Sequence, residues 1–270
     1  MQQVAGAGVV VTGGGSGIGA ALARRFAAEG ARVVVNDIDA EKAVAVAASC
    51  GASAVPGDAA TEEGVAGLIA AARAELGEID LYCANAGIAR GGGPAAAEAD
   101  WADSWQVNVM AHVRAARLLI DPWVERGSGH LICTVSAAGL LSMVGSATYS
   151  VTKHAALAFA EWMALTYAHA GITVQAICPK GVRTGMLPGT DGAAERILGD
   201  SVIQPEAVAD AVIAGMADGR FLILPHPDVA DLYAGRAADP DRWLAGMSRL
   251  HVKAMGDAAD ALVQIESDSM

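Results

Sequence analysis

Tyr149 and Lys153, four residues apart, place a phenol and an ammonium where they could take part in proton transfer. Side chains four apart on a helix lie on one face, one turn apart. A free tyrosine has a pKa near 10 and is a poor base at neutral pH. An adjacent ammonium stabilises the phenolate, so we expect Lys153 to lower the pKa of Tyr149 and make it a general base for an alcohol proton. The same spacing is also common in exposed helix pairs, so the surrounding sequence has to decide.

Three further polar residues fall where a site is expected. Ser136 ends a predicted apolar strand and lies 13 residues before Tyr149. Ligands of open α/β sheets bind at the carboxyl ends of strands, where a hydroxyl can hydrogen-bond a substrate oxygen. Asn85 follows another predicted strand. Asn108 lies in the interior of a predicted helix, where asparagine is unfavourable because its side chain competes for backbone hydrogen bonds. A turn or capping role for Ser136 is the alternative, but together the three residues favour a site.

A glycine-rich segment follows the first predicted strand. Thr12 is followed by Gly13-Gly14-Gly15-Ser16-Gly17-Ile18-Gly19 and then by a helical pattern. Glycines between a strand and a helix let backbone amides approach a pyrophosphate, and the helix N-terminus adds partial positive charge. The strand–loop–helix context favours dinucleotide binding over a tight turn that is glycine-rich only for packing.

Asp37 ends the second predicted strand, 18 residues past Gly19. A carboxylate there can accept hydrogen bonds from both ribose hydroxyls of an adenosine, and it would repel a 2′-phosphate. No Lys or Arg lies in the glycine loop or directly after Asp37. The sequence therefore predicts NAD in preference to NADP, with a helix N-terminal charge as the alternative role of Asp37.

Short apolar runs alternate with alanine-rich helical stretches along the chain. Runs that are apolar on both faces are typical of a parallel sheet covered by helices. Repeated strand–helix–strand units predict a doubly wound α/β sheet with about seven strands in a three-layer α/β/α arrangement. The predicted strands are Gly8–Thr12, Arg32–Asn36, Ser53–Pro56, Ile79–Cys83, His130–Ser136, Thr173–Cys178 and Phe221–Leu224, and the predicted helices are Gly17–Glu29, Ala40–Cys50, Glu62–Leu76, Trp101–Arg126, Ala147–Ala170 and Pro205–Ala217.

The sequence predicts one main domain. No composition break divides residues 1–224, and residues 225–270 are expected to be a C-terminal extension packed on the same domain. Thr184–Ser201 contains Gly, Pro and Asp and is predicted to be a lid or a short helical insertion.

Composition excludes several classes of protein. The 270 residues carry 30 acidic and 18 basic side chains, a formal charge of -12, which disfavours nucleic-acid binding and anionic membranes. The longest stretch without charged residues, Gly127–Thr152, contains Gly, Ser, Thr and His, so no membrane span is expected. No signal peptide is recognised and a cytoplasmic protein is expected. The four cysteines form no CxxC pair, so we expect buried reduced thiols and no metal site.

The motifs together resemble the short-chain dehydrogenase/reductase family in its compact single-domain form, which has a Rossmann-type fold. Five motifs occur in order: TGGGSGIG at 12–19, Asp58, NAG at 85–87, Asn108 with Ser136, and YSVTK at 149–153. The resemblance implies that Tyr149 is the acid/base and that Lys153 tunes it and holds the nicotinamide ribose. It implies that Ser136 orients the substrate oxygen and that Asn108 fixes a water of a proton relay.

The resemblance also implies a cofactor site. Asp58 would meet the adenine amino group, and Val182 and Thr184 would meet the nicotinamide carboxamide. The residues expected to bind NAD are Gly13, Ser16, Gly17, Ile18, Gly19, Asp37, Asp58, Ala59, Asn85, Ala86, Gly87, Tyr149, Lys153, Pro179, Gly181, Val182 and Thr184.

Two features depart from the family pattern. Lys180 stands where the family usually has glycine after Pro179, and the chain lacks the usual glycine-rich ending after the last strand. A homodimer or homotetramer is still expected, through the helix faces around 101–126 and 147–170.

The predicted activity is NAD-dependent interconversion of a secondary alcohol and a ketone. The candidate pocket segments Ala138–Val144, Met186–Leu187 and Gly91–Pro94 are mostly apolar and favour a hydrophobic small molecule. Four residues of the C-terminal extension are candidates for a cap of this pocket, with ordinary packing of the extension as the alternative: His226, Tyr233, Trp243 and Met247. A non-catalytic NAD sensor or scaffold of the same fold is the alternative. A methyltransferase of related fold is a weaker one, because it gives no reason for the pair Tyr149 and Lys153.

Overall fold

A computed structural model describes residues 4–90, 92–187, 198 and 201–255. Within these ranges one parallel sheet has the strand order β3-β2-β1-β4-β5-β6-β7. The predicted doubly wound α/β fold is therefore confirmed. The strands are β1 Gly8–Val11, β2 Arg32–Val35, β3 Ser53–Ala54, β4 Leu81–Ala84, β5 Gly129–Thr134, β6 Ile172–Ile177 and β7 Leu222–Ile223.

Helices cover both faces of the sheet. They are α1 Gly17–Ala28, α2 Ala40–Cys50, α3 Glu62–Leu76, α4 Glu98–Trp105, α5 Ala111–Arg126, α6 Ala138–Leu141, α7 Ala147–Tyr167, α8 Pro205–Asp218, α9 Asp228–Ala238 and α10 Pro240–Met255. A short 3₁₀ turn, Ala168–Ala170, follows α7.

Each face of the sheet has its own apolar core, because successive strand residues point to opposite sides. Val10 and Val34 pack with α3, α5 and α7 on one face. Val9, Val11 and Val33 pack with α1, α2 and α8 on the other. Every residue of β1 is buried, as a central parallel strand requires.

The strand order reverses between β1 and β4, and this reversal sets the position of the site. From β1 the chain runs to β2 and β3 on one side and then returns to β4 on the other. The crossover connections leave in opposite directions there, so a crevice opens at the carboxyl ends of β1 and β4. The glycine loop after β1 and Asn85 after β4 both lie at this crevice.

The predicted helix over Trp101–Arg126 differs in the structure. It begins earlier, at Glu98, and Gln106–Met110 form a π-helical turn around Asn108. Pro122 lies inside α5 and cannot donate to the carbonyl of Leu118 four residues earlier. The guanidinium of Arg73 on α3 donates to that carbonyl instead, at 3.1 Å. The helix thus continues through the proline because a side chain from α3 replaces the missing donor.

The predicted bounds of α2 and α3 are confirmed at both ends, and the other element bounds differ from the sequence predictions by up to three residues. Ser136 lies two residues beyond β5 rather than at its end, and the short helix α6 was not predicted. Thr12 lies outside β1 although its N–H donates to the carbonyl of Cys83 at 3.1 Å. Most of the predicted lid at Thr184–Ser201 falls at 188–197, 199 and 200, outside the described residues.

Candidate active site

A cavity of about 690 Å³ opens at the carboxyl ends of the strands. Every site residue predicted from the sequence lines it, with the exception of Asn108, which lies behind its wall. Side chains that are more than 130 positions apart, from Gly13 to Lys153, are brought to one crevice by the parallel sheet. The candidate cofactor and catalytic residues therefore share one continuous space.

Glycine is required by contact in the loop after β1. A β-carbon at Gly19 would lie 2.1 Å from the carbonyl oxygen of Gly13, so the first turn of α1 packs directly on the loop. Gly13 has a φ of 60° and approaches the backbone of Ala86. Gly17 has a φ of 51°, and a β-carbon there would lie 2.8 Å from the methyl group of Thr184. The loop is thus closely packed by α1 and by the segments after β4 and β6.

Asn85 links the ends of three strands. Its Nδ2 donates to the carbonyls of Thr12 at 2.9 Å and of Gly13 at 3.3 Å. Its Oδ1 accepts from the Thr134 hydroxyl at 3.0 Å. These bonds use both ends of the amide, so Asn85 fixes the glycine loop against β5 and positions it rather than projecting freely into the cavity.

Asp37 lines the cavity at the end of β2. Its Oδ2 accepts from the N–H of Gly15 at 2.9 Å, and its Oδ1 accepts from the N–H of Asp39 at 3.0 Å. The carboxylate therefore supports the glycine loop and is held in place by backbone donors. The nearby ammonium of Lys42 lies 2.7 Å from Asp39 and is paired there.

The described residues that line the cavity include two cations, Lys153 and Lys180. Both belong to the β5–β6 side of the sheet, which β1 and β4 separate from Asp37. Asp58, the fourth charged lining residue, caps its own turn by accepting from the N–H of Ala60 at 2.8 Å. The end of the cavity around Asp37 and Asp58 is therefore acidic.

Tyr149, Lys153 and Ser136 meet at the end of β5. The ammonium of Lys153 lies 5.6 Å from the centre of the Tyr149 ring and donates to the carbonyl of Thr134 at 2.9 Å. The hydroxyl of Ser136 interacts with the Tyr149 phenol. It also accepts from the N–H of Ala138 at 3.1 Å, so its orientation is fixed by the start of α6.

The expected lowering of the tyrosine pKa is not found. Burial raises the pKa of Tyr149, and the interaction with Ser136 only opposes that rise. Burial also lowers the pKa of Lys153 to about 8. The physical reason is that burial removes both groups from water, which disfavours the phenolate and the ammonium alike. The sequence prediction considered the charge of Lys153 but not this desolvation.

Ser136 has an unusual backbone. Its φ is 148°, a conformation that residues other than glycine rarely adopt. Its hydroxyl also donates to the carbonyl of Pro179 at 3.4 Å, across to the segment after β6. Strained backbone of this kind persists where the surroundings hold it and is concentrated at functional sites.

Asn108 is completely buried and contacts the site from behind. Its side-chain amide exchanges two hydrogen bonds with the backbone of Ile88, at 2.9 and 3.0 Å, and donates to the hydroxyl of Thr152 at 3.1 Å. A β-carbon at Gly87 would lie 3.3 Å from Asn108 Oδ1 and 3.4 Å from Lys153 Nζ. Gly87 therefore leaves room for the amide and the ammonium on its two sides.

Lys180 lines the cavity, and its ammonium is paired with a residue of the C-terminal helices. Its ammonium forms an ion pair with Asp228 at 2.7 Å, and its backbone N–H donates to Nδ1 of His226 at 3.1 Å. Gly181 is buried and a β-carbon there would lie 3.0 Å from Leu198. The departure from the family pattern at Lys180 thus corresponds to a contact that residues beyond β7 provide.

Some lining residues were not predicted from the sequence, namely Thr134, Leu232 and Leu250. Of the four tail residues considered as a cap of the pocket, Trp243 and Met247 line the cavity, whereas His226 and Tyr233 do not. Gly92–Pro94 do not line it, whereas Leu141, Met143 and Val144 do. The helical spacing of 243, 247 and 250 adds Leu250 to the same helix face, but spacing alone does not say which surface that face covers.

The cysteines agree with their predicted role as reduced thiols. All four are free, and Cys83, Cys133 and Cys178 are buried. Burial raises the pKa of Cys133 and of Cys178 to about 12, so neither is a reactive thiolate at neutral pH. Within the described ranges, no three His, Cys, Asp or Glu side chains are grouped closely enough to hold a metal ion.

The fold and the site together define a dinucleotide-binding α/β protein with a glycine loop after its first strand. Comparison with known proteins gives the family: the short chain dehydrogenase profile matches residues 7–193. The chain belongs to the short-chain dehydrogenase/reductase family and is an oxidoreductase of that family.

Related sequences and structures cover most of the chain. A 1-deoxy-11-beta-hydroxypentalenate dehydrogenase from Streptomyces exfoliatus is 36% identical over 81% of this chain and 82% of its own length. A meso-2,3-butanediol dehydrogenase from Serratia marcescens is 34% identical over 79% of this chain and 89% of its own length. A short chain dehydrogenase/reductase from Burkholderia phymatum, crystallised with NAD, has a TM-score of 0.80 and 28% identity over 89% and 96% of the two chains.

Among the described residues, none of the helices combines the length and the apolar character needed to cross a bilayer.

Proposed function

We propose that the protein is an NAD-dependent dehydrogenase that interconverts a secondary alcohol and a ketone on an apolar small molecule. The observation that carries the proposal is the shared cavity, in which a phenol, a serine hydroxyl and a lysine meet at the end of the glycine-lined trough. The similarity to a 1-deoxy-11-beta-hydroxypentalenate dehydrogenase and to a meso-2,3-butanediol dehydrogenase supports the reaction class.

The trough fits a nicotinamide dinucleotide. Its glycines pack so closely on the surrounding protein that a β-carbon at Gly13, Gly17 or Gly19 would displace the loop. A glycine loop held in this way before a helix N-terminus presents the backbone N–H groups that a pyrophosphate needs. The carboxylate of Asp37, held by two backbone donors, would accept from ribose hydroxyls. When bound, the dinucleotide supplies a ring that accepts or returns a hydride. The seventeen residues predicted from the sequence as the cofactor site are our proposed set.

The protein's own residues would handle the proton. In alcohol oxidation the Tyr149 phenolate would take the hydroxyl proton, and in ketone reduction the phenol would return it. Ser136 would hold the substrate oxygen by its fixed hydroxyl. Lys153 would stabilise the phenolate from one turn away, and Asn108 would hold the backbone of Ile88 behind it as a positioning residue.

The decisive test is oxidation of a panel of apolar secondary alcohols with NAD, followed at the absorbance band of the reduced nicotinamide. We expect turnover that is lost in Tyr149→Phe. Tight NAD binding with no turnover across the panel would instead favour the non-catalytic sensor.

NAD preference is argued from the acidic end of the cavity. Asp37→Ser removes the charge that repels a 2′-phosphate, so we expect kcat/KM for NADP to rise and that for NAD to fall, each by about tenfold or more. Asp39→Asn is the matched control, because Asp39 is the N-cap of α2 and does not line the cavity. If the unmodified protein already prefers NADP, the proposed role of Asp37 is wrong.

We also propose that a second copy of the chain covers the outer face of α5 and α7. Large apolar side chains are exposed there, including Trp162 at 54% and Leu165 at 83%. Monomers rarely expose such a patch without a partner. Sedimentation of Leu165→Glu and of the unmodified protein tests this, and a monomer in both cases would contradict it.

A further inference from the structure

We propose that α9 and α10, the two helices beyond the last strand, form a fixed apolar wall of the substrate space, and that Trp243, Met247 and Leu250 select for a bulky, uncharged alcohol or ketone. The inference rests on the proposed function, since it names the substrate class of the same site.

One face of α10 is turned towards the cavity. Trp243, Met247 and Leu250 are spaced by four and three residues, which places them on a single helix face. All three line the cavity together with Leu232 of α9. Leu244, about 100° round the helix from Trp243, lies outside this face and is 64% exposed. Leu244 therefore serves as a control for Trp243, because it lies on the same helix but does not line the cavity.

The start of α9 is fastened to the segment after β6. Lys180 binds this start twice: its ammonium pairs with Asp228 at 2.7 Å and its N–H donates to His226 at 3.1 Å. The other ring nitrogen of His226 lies 2.8 Å from the carbonyl of Ser201. Because Lys180 directly follows Pro179, which lines the cavity, these bonds fix the helix start relative to the site.

The end of α9 is fastened to the catalytic side. The guanidinium of Arg236 donates to the carbonyl of Leu140 on α6 and to Nε2 of His154 at 3.1 Å. His154 directly follows Lys153 on α7 and uses its other nitrogen on the carbonyl of Ser150 at 2.8 Å. One end of α9 is therefore anchored to the segment after β6, which carries proposed cofactor-binding residues, and the other end to α6 and to α7, which carries Tyr149 and Lys153.

The charges of the lining determine what this wall accepts. Asp37 and Asp58 belong to the opposite end of the cavity, and Lys153 donates to a carbonyl. Lys180, the remaining charged residue of the described lining, is paired with Asp228. Arg183 is exposed and is not part of the lining. The substrate end therefore offers aromatic, thioether and aliphatic surface, which favours an apolar ring system over an anion.

The test compares the selectivity of Trp243→Ala and Leu244→Ala with that of the unmodified protein, using cyclohexanol and the larger fused-ring alcohol decalol with NAD. For Trp243→Ala we expect kcat/KM for decalol to fall by about tenfold or more, chiefly through KM, because an apolar contact of this size discriminates by about that factor. The value for cyclohexanol should change by less than about threefold, and Leu244→Ala should change neither. Met247→Ala, a smaller truncation, keeps the test valid if Trp243→Ala does not fold.

Equal losses for both alcohols, or an equal effect of Leu244→Ala, would overturn the inference. Binding of the neutral probe N-phenyl-naphthylamine separates it from the proposed function, because that assay needs no turnover. Displacement of the probe by decalol in the unmodified protein, weakened in Trp243→Ala but not in Leu244→Ala, supports the wall even if no alcohol is oxidised. Displacement that both variants leave unchanged overturns the wall even if alcohols are oxidised.

Discussion

Ser136 shows how a single residue combines strain and function. Its φ of 148° is held by the N–H of Ala138, which donates to the serine hydroxyl, and by the carbonyl of Pro179, which accepts from it. An alanine here would lose these bonds and the proposed hydrogen bond to the substrate oxygen. A glycine would adopt the same backbone without strain.

We therefore expect opposite changes in stability and activity at Ser136. Ser136→Gly should lower kcat/KM by about 100- to 1,000-fold, as does loss of one oxyanion donor, while it keeps or raises the melting temperature. Ser136→Ala should lose similar activity and also melt lower. Steady-state kinetics with calorimetry checks this, and full activity in the glycine variant would show that the hydroxyl is not used.

The pH dependence of turnover follows from the raised pKa of Tyr149. In the proposed mechanism, alcohol oxidation needs the Tyr149 phenolate and ketone reduction needs the phenol. Because burial raises the pKa of Tyr149, the oxidation rate should increase with pH across the neutral range into the alkaline range, whereas the reduction rate should be flat there and fall only at high pH. Initial rates in both directions from pH 6 to 10 measure this, and an oxidation rate that is already flat at pH 6 to 7 would contradict it.

At the scale of elements, α5 depends on α3 for its continuity. Pro122 leaves the carbonyl of Leu118 without its helical donor, and Arg73 replaces it. A hydrogen bond of this kind contributes about 1 kcal/mol to the free energy of unfolding.

A double-mutant cycle tests this replacement. Arg73→Met should lower the free energy of unfolding by about 1 kcal/mol in the background with Pro122. In the Pro122→Ala background the helix supplies its own donor to Leu118, so the same substitution should cost clearly less. Denaturant unfolding of the four proteins measures the coupling. Equal losses in the free energy of unfolding in both backgrounds would show that Arg73 does not compensate for the donor missing at Pro122.

For the whole molecule, two buried histidines link folding to pH. Burial lowers the pKa of His112 to about 3 and that of His130 to about 4. Both nitrogens of His112 lack a hydrogen-bond partner among the described residues, while His130 meets Gln175 at 2.9 Å. The unfolded chain binds protons at these residues near pH 6.5 and the folded chain does not. Their stabilisation is therefore complete above about pH 6.5 and is lost as the pH falls towards 4.

His112→Leu should flatten this dependence. Each histidine contributes a slope of up to about 1.4 kcal/mol per pH unit to the free energy of unfolding between pH 6 and 4.5. The variant should lose about one such contribution while it remains folded, since leucine removes only the unpartnered ring nitrogens. Denaturant midpoints at several pH values measure the slope, and an unchanged slope would mean that His112 accepts a proton in the folded state.

The doubly wound fold, the order of most elements and the family could be predicted from the sequence alone. Glycines at 13, 17 and 19, the polar residues after strands and the pair at 149 and 153 are local patterns, and strand–helix alternation permits few topologies. The predicted site residues, apart from Asn108, accordingly line one cavity.

The pKa values of the site residues and the position of the apolar wall formed by α9 and α10 depend on long-range packing. Desolvation depends on what covers a group, so the raised pKa of Tyr149 could not follow from the spacing of Tyr149 and Lys153. The π-turn at Asn108 and the ion pair of Lys180 with Asp228 likewise depend on residues distant in the chain. Helical periodicity predicts an apolar face on α10, but only long-range packing places that face against the cavity.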